Sequence, residues 1–367
     1  MSPETASTTR RRAVEMSGDA SVVVGPLTGY HHETYVFPLP DPAGTGPQVR
    51  WKCREPRRGL LWFDRRCFSS EELLLRELQG RVTGIPEIIR AGSTSLQRFV
   101  EGMTLGTLHA AGTAVPEHLA GQITGVFRQL AALGVGDVRA RRRCRPEDRP
   151  ADGDTTGFLE RLLHFTERRV YRHNSKRFET LFRALGVDAL CFDRLRLRLR
   201  DLTPRPFCLL HADLHRENFV VDPYGGLWTI DWELAMVGDP LYDLATHLHL
   251  MRYPAAQAEE MTARWREAVE PVRPGASRGW EADLPRLLAY KRAQSVFTDA
   301  IRACLSLETA PDDDPDLYDH AAVQLCHGLT AAADPLGLEA VPSPRDISSA
   351  LTRWYWEHRE SPARGAR

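Results

Sequence analysis

Between Ser21 and about Val100, apolar positions alternate with polar ones or fall in short β-branched and aromatic clusters, broken by Gly and Pro. The stretches are SVVVGPLTGYHHETYVFPL, QVRWKCR and EIIRAGSTSLQRFV. This period of two predicts strands with one buried face. One segment differs. SSEELLLRELQG spaces its Leu residues by three and four, which predicts a helix. Ser69 or Ser70 offers a cap, Glu71 and Glu72 fill the first turn, and Gly80 ends the helix. After Gly102 the spacing becomes helical in HLAGQITGVFRQLAALG, in FLERLLHFTERRVYRH, and again beyond Pro254 as far as ALTRWYWEH. DRLRLRLRD alternates like a strand, but Leu and Arg are good helix formers, and a helix is expected there. The pattern divides the chain into a frayed polar N-terminus (1–19), a small β-rich part (20–102) and a larger, mainly helical part (103–367).

One stretch in the helical part breaks the pattern: LLHADLHRENFVVDPYGGLWTIDWE, residues 209–233. FCLL leads in as a strand. NFVVD and LWTID are two more strands, with PYGG as the turn between them. A hairpin brings its outer ends together, so Asn218 at the start of one arm meets Asp231 at the end of the other. Asp213 lies five residues before Asn218, on the loop entering the hairpin. Two oxygen ligands beside a second carboxylate suit the hard cation Mg²⁺. They also suit phosphoryl transfer, where one Asp orients and deprotonates a hydroxyl while other oxygens hold the metal on the phosphates. Two further readings stand beside this one. A zinc site would use His211, His215 and an Asp, but the stretch opens in strand and loop, and no H-E-x-x-H is present. An ordinary polar hairpin accounts for Asp222 and Gly225, but not for polar Asn218 and Asp231 directly adjoining apolar strand residues.

Composition narrows the classes. The chain has 367 residues, 42% of them hydrophobic, which suits globular packing. A net charge of −1 leaves no clearly basic domain for nucleic acid. Seven Cys without a C-x-x-C pair fit a reducing cytoplasm better than a disulfide framework. The N-terminus has no secretory h-region, and no apolar run is long enough to span a membrane. Lys occurs only at 52, 176 and 291 among 48 basic residues, so each Lys stands out as a compact point charge where Arg was available.

His211-Ala-Asp213-Leu-His215-Arg-Glu-Asn218, Ile230-Asp231-Trp-Glu233 and Gly238-Asp239-Pro-Leu-Tyr-Asp243-Leu-Ala resemble the aminoglycoside phosphotransferase and choline kinase group of small-molecule kinases. The resemblance extends over most of the chain and is specific between His211 and Ala245. It implies an α+β, bilobal protein-kinase-like fold with ATP and Mg²⁺ as cofactors. It makes Asp213 the base, Asn218 and Asp231 the metal ligands, Glu233 a helper carboxylate and His211 a loop support. Asp239 and Asp243 are expected to cap or anchor the next helix. In the small lobe, Lys52 on its strand matches the phosphate-gripping lysine, and Glu71 its helix partner, with Glu72 the alternative. Thr28 and Gly29 match a looser glycine loop in which Tyr30 replaces one Gly, and His31 and His32 follow. The backbones of Arg98 and Val100 match the hinge that holds adenine.

No peptide platform separates Asp231 from the next helix, which favours a small hydroxylated acceptor over a protein. Arg-rich, Lys-poor usage suggests a GC-rich genome of the kind common among antibiotic producers. An antibiotic acceptor is therefore expected: an aminoglycoside, a nucleoside or another sugar-bearing compound. A metabolite kinase for choline, homoserine or a sugar is the alternative, and a nucleotide-binding pseudokinase scaffold a further one. The acidic run from Asp312 to Asp319 is either a polycation contact or a solvated loop.

Overall fold

The computed structural model describes residues 7–27, 32–39, 49–57, 65–92, 94–309 and 315–359. It is an α+β structure, and the chain separates into two compact units. The division does not fall at residue 102. One unit holds Met1–Cys144, His211–Met236 and Leu250–Ala268; the other holds Arg145–Leu210, Val237–His249 and Val269–Arg367.

The first unit is built on four antiparallel strands: β1 (His32–Pro38), β2 (Arg50–Pro56), β3 (Ile88–Ala91) and β4 (Thr94–Arg98), in the order β1-β2-β4-β3. Alternation along β2 sends Trp51 and Cys53 into a core with Tyr35, Phe37 and Leu96. Lys52 and Arg54 therefore project from the opposite face. The N-terminus corrects the sequence reading. Instead of fraying, Thr8–Ser17 forms a helix, α1, whose Ala13 is fully buried in that same core. Ser7 caps it by accepting from the Arg10 N–H at 3.1 Å, and Gly18 closes it at φ 73°.

The helix α2 (Glu71–Leu78) follows its sequence signals. Ser70 accepts from the Leu73 N–H at 3.2 Å, and Leu74, Leu75 and Leu78 are fully buried. Glu71 is buried with them. The expected hairpin also forms, with Phe219–Val221 pairing antiparallel to Leu227–Thr229. Met103 and Thr104 extend it on the Val221 side. Two glycines permit the close approach. A Cβ on Gly102 (φ 144°) would sit 2.2 Å from the Val221 carbonyl oxygen, and one on Gly84 (φ 67°) 2.6 Å from that of Leu227.

The second unit is mainly helical. Thr155–Phe165 runs into a seven-residue π-helical segment, Thr166–Arg172, and Leu190–Arg198 is helical as expected. Phe192 stacks on Phe297 with ring centroids 4.8 Å apart, and Phe178 stacks on Trp354 at 5.3 Å. Arg205 is fully buried. It donates to both Asp239 oxygens at 2.8–3.0 Å, and to Asp283 and the Arg278 carbonyl at 2.8 Å. Asp239 also accepts from the Leu241 N–H at 2.8 Å, capping the helix Pro240–Met251. A buried guanidinium is tolerable only with its donors met in this way.

No disulfide joins any of the seven cysteines among the described residues. Among the described residues, no helix is long and apolar enough to cross a membrane.

Candidate active site

Four described residues other than Gly have positive φ, and two of them flank the hairpin: Ala212 at 64° and Asp231 at 62°. Such backbone costs roughly 1–2 kcal/mol per residue and persists only where the surroundings enforce it. Here they do. His211 is fully buried and its Nε2 lies 3.1 Å from the Ile230 carbonyl, so that nitrogen carries the proton. Burial pushes its pKa down to about 4, which keeps the ring neutral. The ring meets that of Trp232 edge-on at 4.7 Å.

Arg216 anchors the same loop. It is 4% exposed and donates to the carbonyls of Met251 at 2.9 Å, and of His109 and Thr113 at 2.7 Å. Its role left no mark in the sequence, because all three acceptors are backbone atoms remote along the chain.

The hairpin ends meet as the turn predicts. The Ile230 N–H donates to the Asn218 carbonyl at 2.9 Å. The Asn218 amide nitrogen donates to the Asp213 backbone oxygen at 2.9 Å and to Asp213 Oδ2 at 3.0 Å. His215 Nε2 lies 3.4 Å from that same Oδ2. Burial pulls the His215 pKa down, but the bond to Asp213 and the charges of Asp213, Asp231 and Glu217 outweigh it, and the net shift is upward.

Glu71, Asp231 and Glu233 bring carboxylate oxygens within 4.8 Å of one another, the one cluster of metal-donor type among the described residues. Neither His211 nor His215 belongs to it, so the zinc set is not assembled. Burial raises the Asp231 pKa first and Glu233 adds to the rise, with Arg54 and Lys52 opposing.

Basic side chains flank the cluster. Arg66 Nη2 lies 2.7 Å from Glu233, and His32 Nδ1 lies 3.6 Å from it. Arg54 forms a close ion pair with Glu71 and lies 3.5 Å from Glu72. The Trp232 N–H donates to Glu71 at 3.2 Å. The expected pair between Lys52 and Glu71 is not made: Arg54, two residues along the same strand face, takes that carboxylate. Lys52 stays half-buried, its pKa lowered to about 8 by burial and then by Arg54, while Asp231, Glu72 and Glu233 draw it back up. The contacts of Arg54, Arg66 and His32 escaped the sequence reading, because each joins segments far apart in the chain.

Arg98 and Val100 line a cleft of about 340 Å³ with Phe99, Glu101, Tyr224 and Trp228. The Arg98 N–H is committed to the Glu87 carbonyl at 2.8 Å, whereas the Val100 N–H has no acceptor among the described residues. Thr28 and Gly29, with Tyr30 and His31, lie outside the described residues, as do 312–314 of the acidic run.

A model of the phosphotransferase enzyme family matches residues 71–289, more than half of the chain. The chain belongs to that family. It is a small-molecule kinase, and this phosphotransferase has the protein-kinase-like fold of its structural neighbours. A proposed aminoglycoside phosphotransferase from Ralstonia eutropha is 12% identical, with a TM-score of 0.51 over 89% of this chain and 91% of that one. The choline kinase LicA from Streptococcus pneumoniae is 15% identical, with a TM-score of 0.50 over 89% of this chain and 100% of that one. A macrolide 2'-phosphotransferase from Brachybacterium faecium is 17% identical, with a TM-score of 0.46 over 88% and 95%. The first two likenesses bear on the fold alone. No curated protein matches the phosphotransferase by sequence.

Proposed function

We propose that this phosphotransferase moves the γ-phosphoryl group of ATP to a hydroxyl of a small antibiotic: an aminoglycoside, a nucleoside or another sugar-bearing compound. One observation carries the phosphotransfer reading. Asn218 ties Asp213 into the hairpin that ends at Asp231, on the unit whose sheet projects Lys52. Asp213 orients the acceptor hydroxyl and takes its proton. Lys52 meets the nucleotide phosphates, and the Val100 N–H meets the base. Arg-rich composition supports an antibiotic, while near-neutral charge gives no preference for a strongly cationic one.

Mg²⁺ fits the residues present. Asp231 Oδ1 is buried without a hydrogen-bond partner among the described residues. Asn218 turns its nitrogen to Asp213, which leaves its side-chain oxygen as an acceptor. The Asn218 oxygen and the unmet oxygen of Asp231 suit a hard cation, which these two residues would hold. The cation held there would supply charge neutralisation to the phosphates of the nucleotide.

ADP release across a panel of antibiotics and metabolites, with mass spectrometry of the products, tests the acceptor. An antibiotic that gains one phosphoryl group at a kcat/KM well above choline, homoserine and sugars supports the proposal. Preference for one of those metabolites overturns the antibiotic reading, and nucleotide binding without any turnover overturns the enzyme reading.

Lys52 sets the alkaline limit. The ammonium is needed opposite phosphate, and in the free protein it is lost as pH rises through about 8. Because kcat/KM reports groups of the free enzyme, kcat/KM for ATP is expected to fall above that pH. A pH profile that stays flat from about 7 to 10 would contradict the role of Lys52.

A further inference from the structure

Glu233 holds two basic side chains at once. Arg66 Nη2 lies 2.7 Å from its Oε1, and His32 Nδ1 lies 3.6 Å from its Oε2. The side chains of Arg66, His32 and Glu233 are only 13%, 15% and 8% exposed, and all three belong to one compact unit. They arrive from separate parts of it. His32 opens β1. Register against β2 sets His32 opposite Pro56, Thr34 opposite Arg54 and Val36 opposite Lys52, so His32 shares the face that carries Arg54 and Lys52. Arg66 comes from the segment leading into α2. Glu233 in turn belongs to the carboxylate cluster with Asp231 and Glu71, which leaves the Arg66 guanidinium one carboxylate away from Asp231. Asn218 ties Asp213 to the hairpin that ends at Asp231, so the cluster marks the end of the site where transfer takes place.

We propose that Arg66 binds the γ-phosphoryl group of the nucleotide, and that Glu233 holds the guanidinium ready until phosphate oxygens take it over. The neighbouring cations are engaged elsewhere. Arg54 pairs with Glu71 and Glu72, and Lys52 is assigned to the phosphates behind the one transferred. A guanidinium presents the same planar fork to a carboxylate and to a phosphate, and the phosphate offers more oxygens and more charge. Glu233 can give up Arg66 and keep His32, so the exchange leaves its buried carboxylate with a partner. The inference rests on the phosphotransfer reading of the site and adds a residue to it.

The test measures Mg²⁺-ADP and Mg²⁺-AMP-PNP affinity by calorimetry on the full-length wild type, Arg66→Met and Arg66→Lys. AMP-PNP carries a γ-phosphoryl group that is not transferred, and ADP carries none. Arg66→Met should weaken AMP-PNP by about 10- to 100-fold, the worth of a hydrogen bond between charged groups, and ADP by less than about threefold. Arg66→Lys keeps the charge without the fork and should weaken AMP-PNP by about three- to tenfold, again sparing ADP. An arginine that merely braces Glu233 would shift both nucleotides together. Equal weakening of ADP and AMP-PNP, or an unchanged AMP-PNP Kd in either variant, overturns the role of Arg66. Should Arg66→Met fail to fold, the same comparison in Arg66→Lys decides alone. A wild-type protein that binds neither nucleotide overturns the phosphotransfer reading itself.

Discussion

Asp213→Asn is expected to lower kcat by about 10² to 10⁴, the range a positioned base contributes. The substitution is nearly isosteric. The Asn218 amide nitrogen now donates to Asp213 Oδ2 at 3.0 Å, and an amide oxygen at that position accepts the same bond. The hairpin should stay closed, so Tm and nucleotide affinity should remain near wild type. A second readout follows from His215, whose raised pKa depends on Asp213. Removing the carboxylate charge should lower that pKa, visible in the ring resonances by NMR. Unchanged turnover would rule Asp213 out as the base. A collapse of Tm would show that the carboxylate is structural, and the kinetic loss could not then be read as chemistry.

Asp231→Ala is expected to leave the protein nearly inactive even at saturating Mg²⁺, and chelation should silence the wild type. The carboxylate is held at φ 62°, with one oxygen buried and unmet among the described residues, its pKa raised by burial and Glu233 and opposed by Arg54 and Lys52. A cation would relieve that oxygen. The raised pKa gives the direction of the acid limit: activity should fall as pH drops, because protonation removes the metal ligand. Loss of Asp231 should also leave the charges of Lys52 and Arg54 less compensated, so the Lys52 pKa should drop further, which nucleotide affinity measured against pH would read. Full activity in chelator-treated enzyme, or restoration by zinc alone, would sink the metal assignment.

The parts of this site that were legible in the sequence are those made by local chemistry. A turn flanked by alternating strands brings Asn218 and Asp231 together whatever the rest of the chain does, and the Asp-Pro at 239–240 opens a helix because it supplies a cap. What the sequence did not yield depends on distant partners. Lys52 and Arg54 share one strand face two residues apart, and nothing local decides which of them takes Glu71. The N-terminal helix was missed because TTRRRAVEMS offers the sheet little more than Ala13 and Met16. Its capping pair, Ser7 and Gly18, was the available signal.

The unit that carries the candidate site is assembled from separated stretches of chain, and this has a consequence for synthesis. Its first stretch ends at Cys144, and the hairpin stretch begins only at His211, roughly 65 residues later. At about 5–20 residues per second, the ribosome delivers that gap in roughly 3–13 seconds. During that interval the nascent sheet has no hairpin against Gly84 and Gly102, and the carboxylate of Glu71 waits for the Trp232 amide. The window is one in which chaperones should engage the growing chain. Ribosome-bound fragments stalled just before residue 211 should therefore be cut by protease in this unit far faster than fragments stalled well after residue 268.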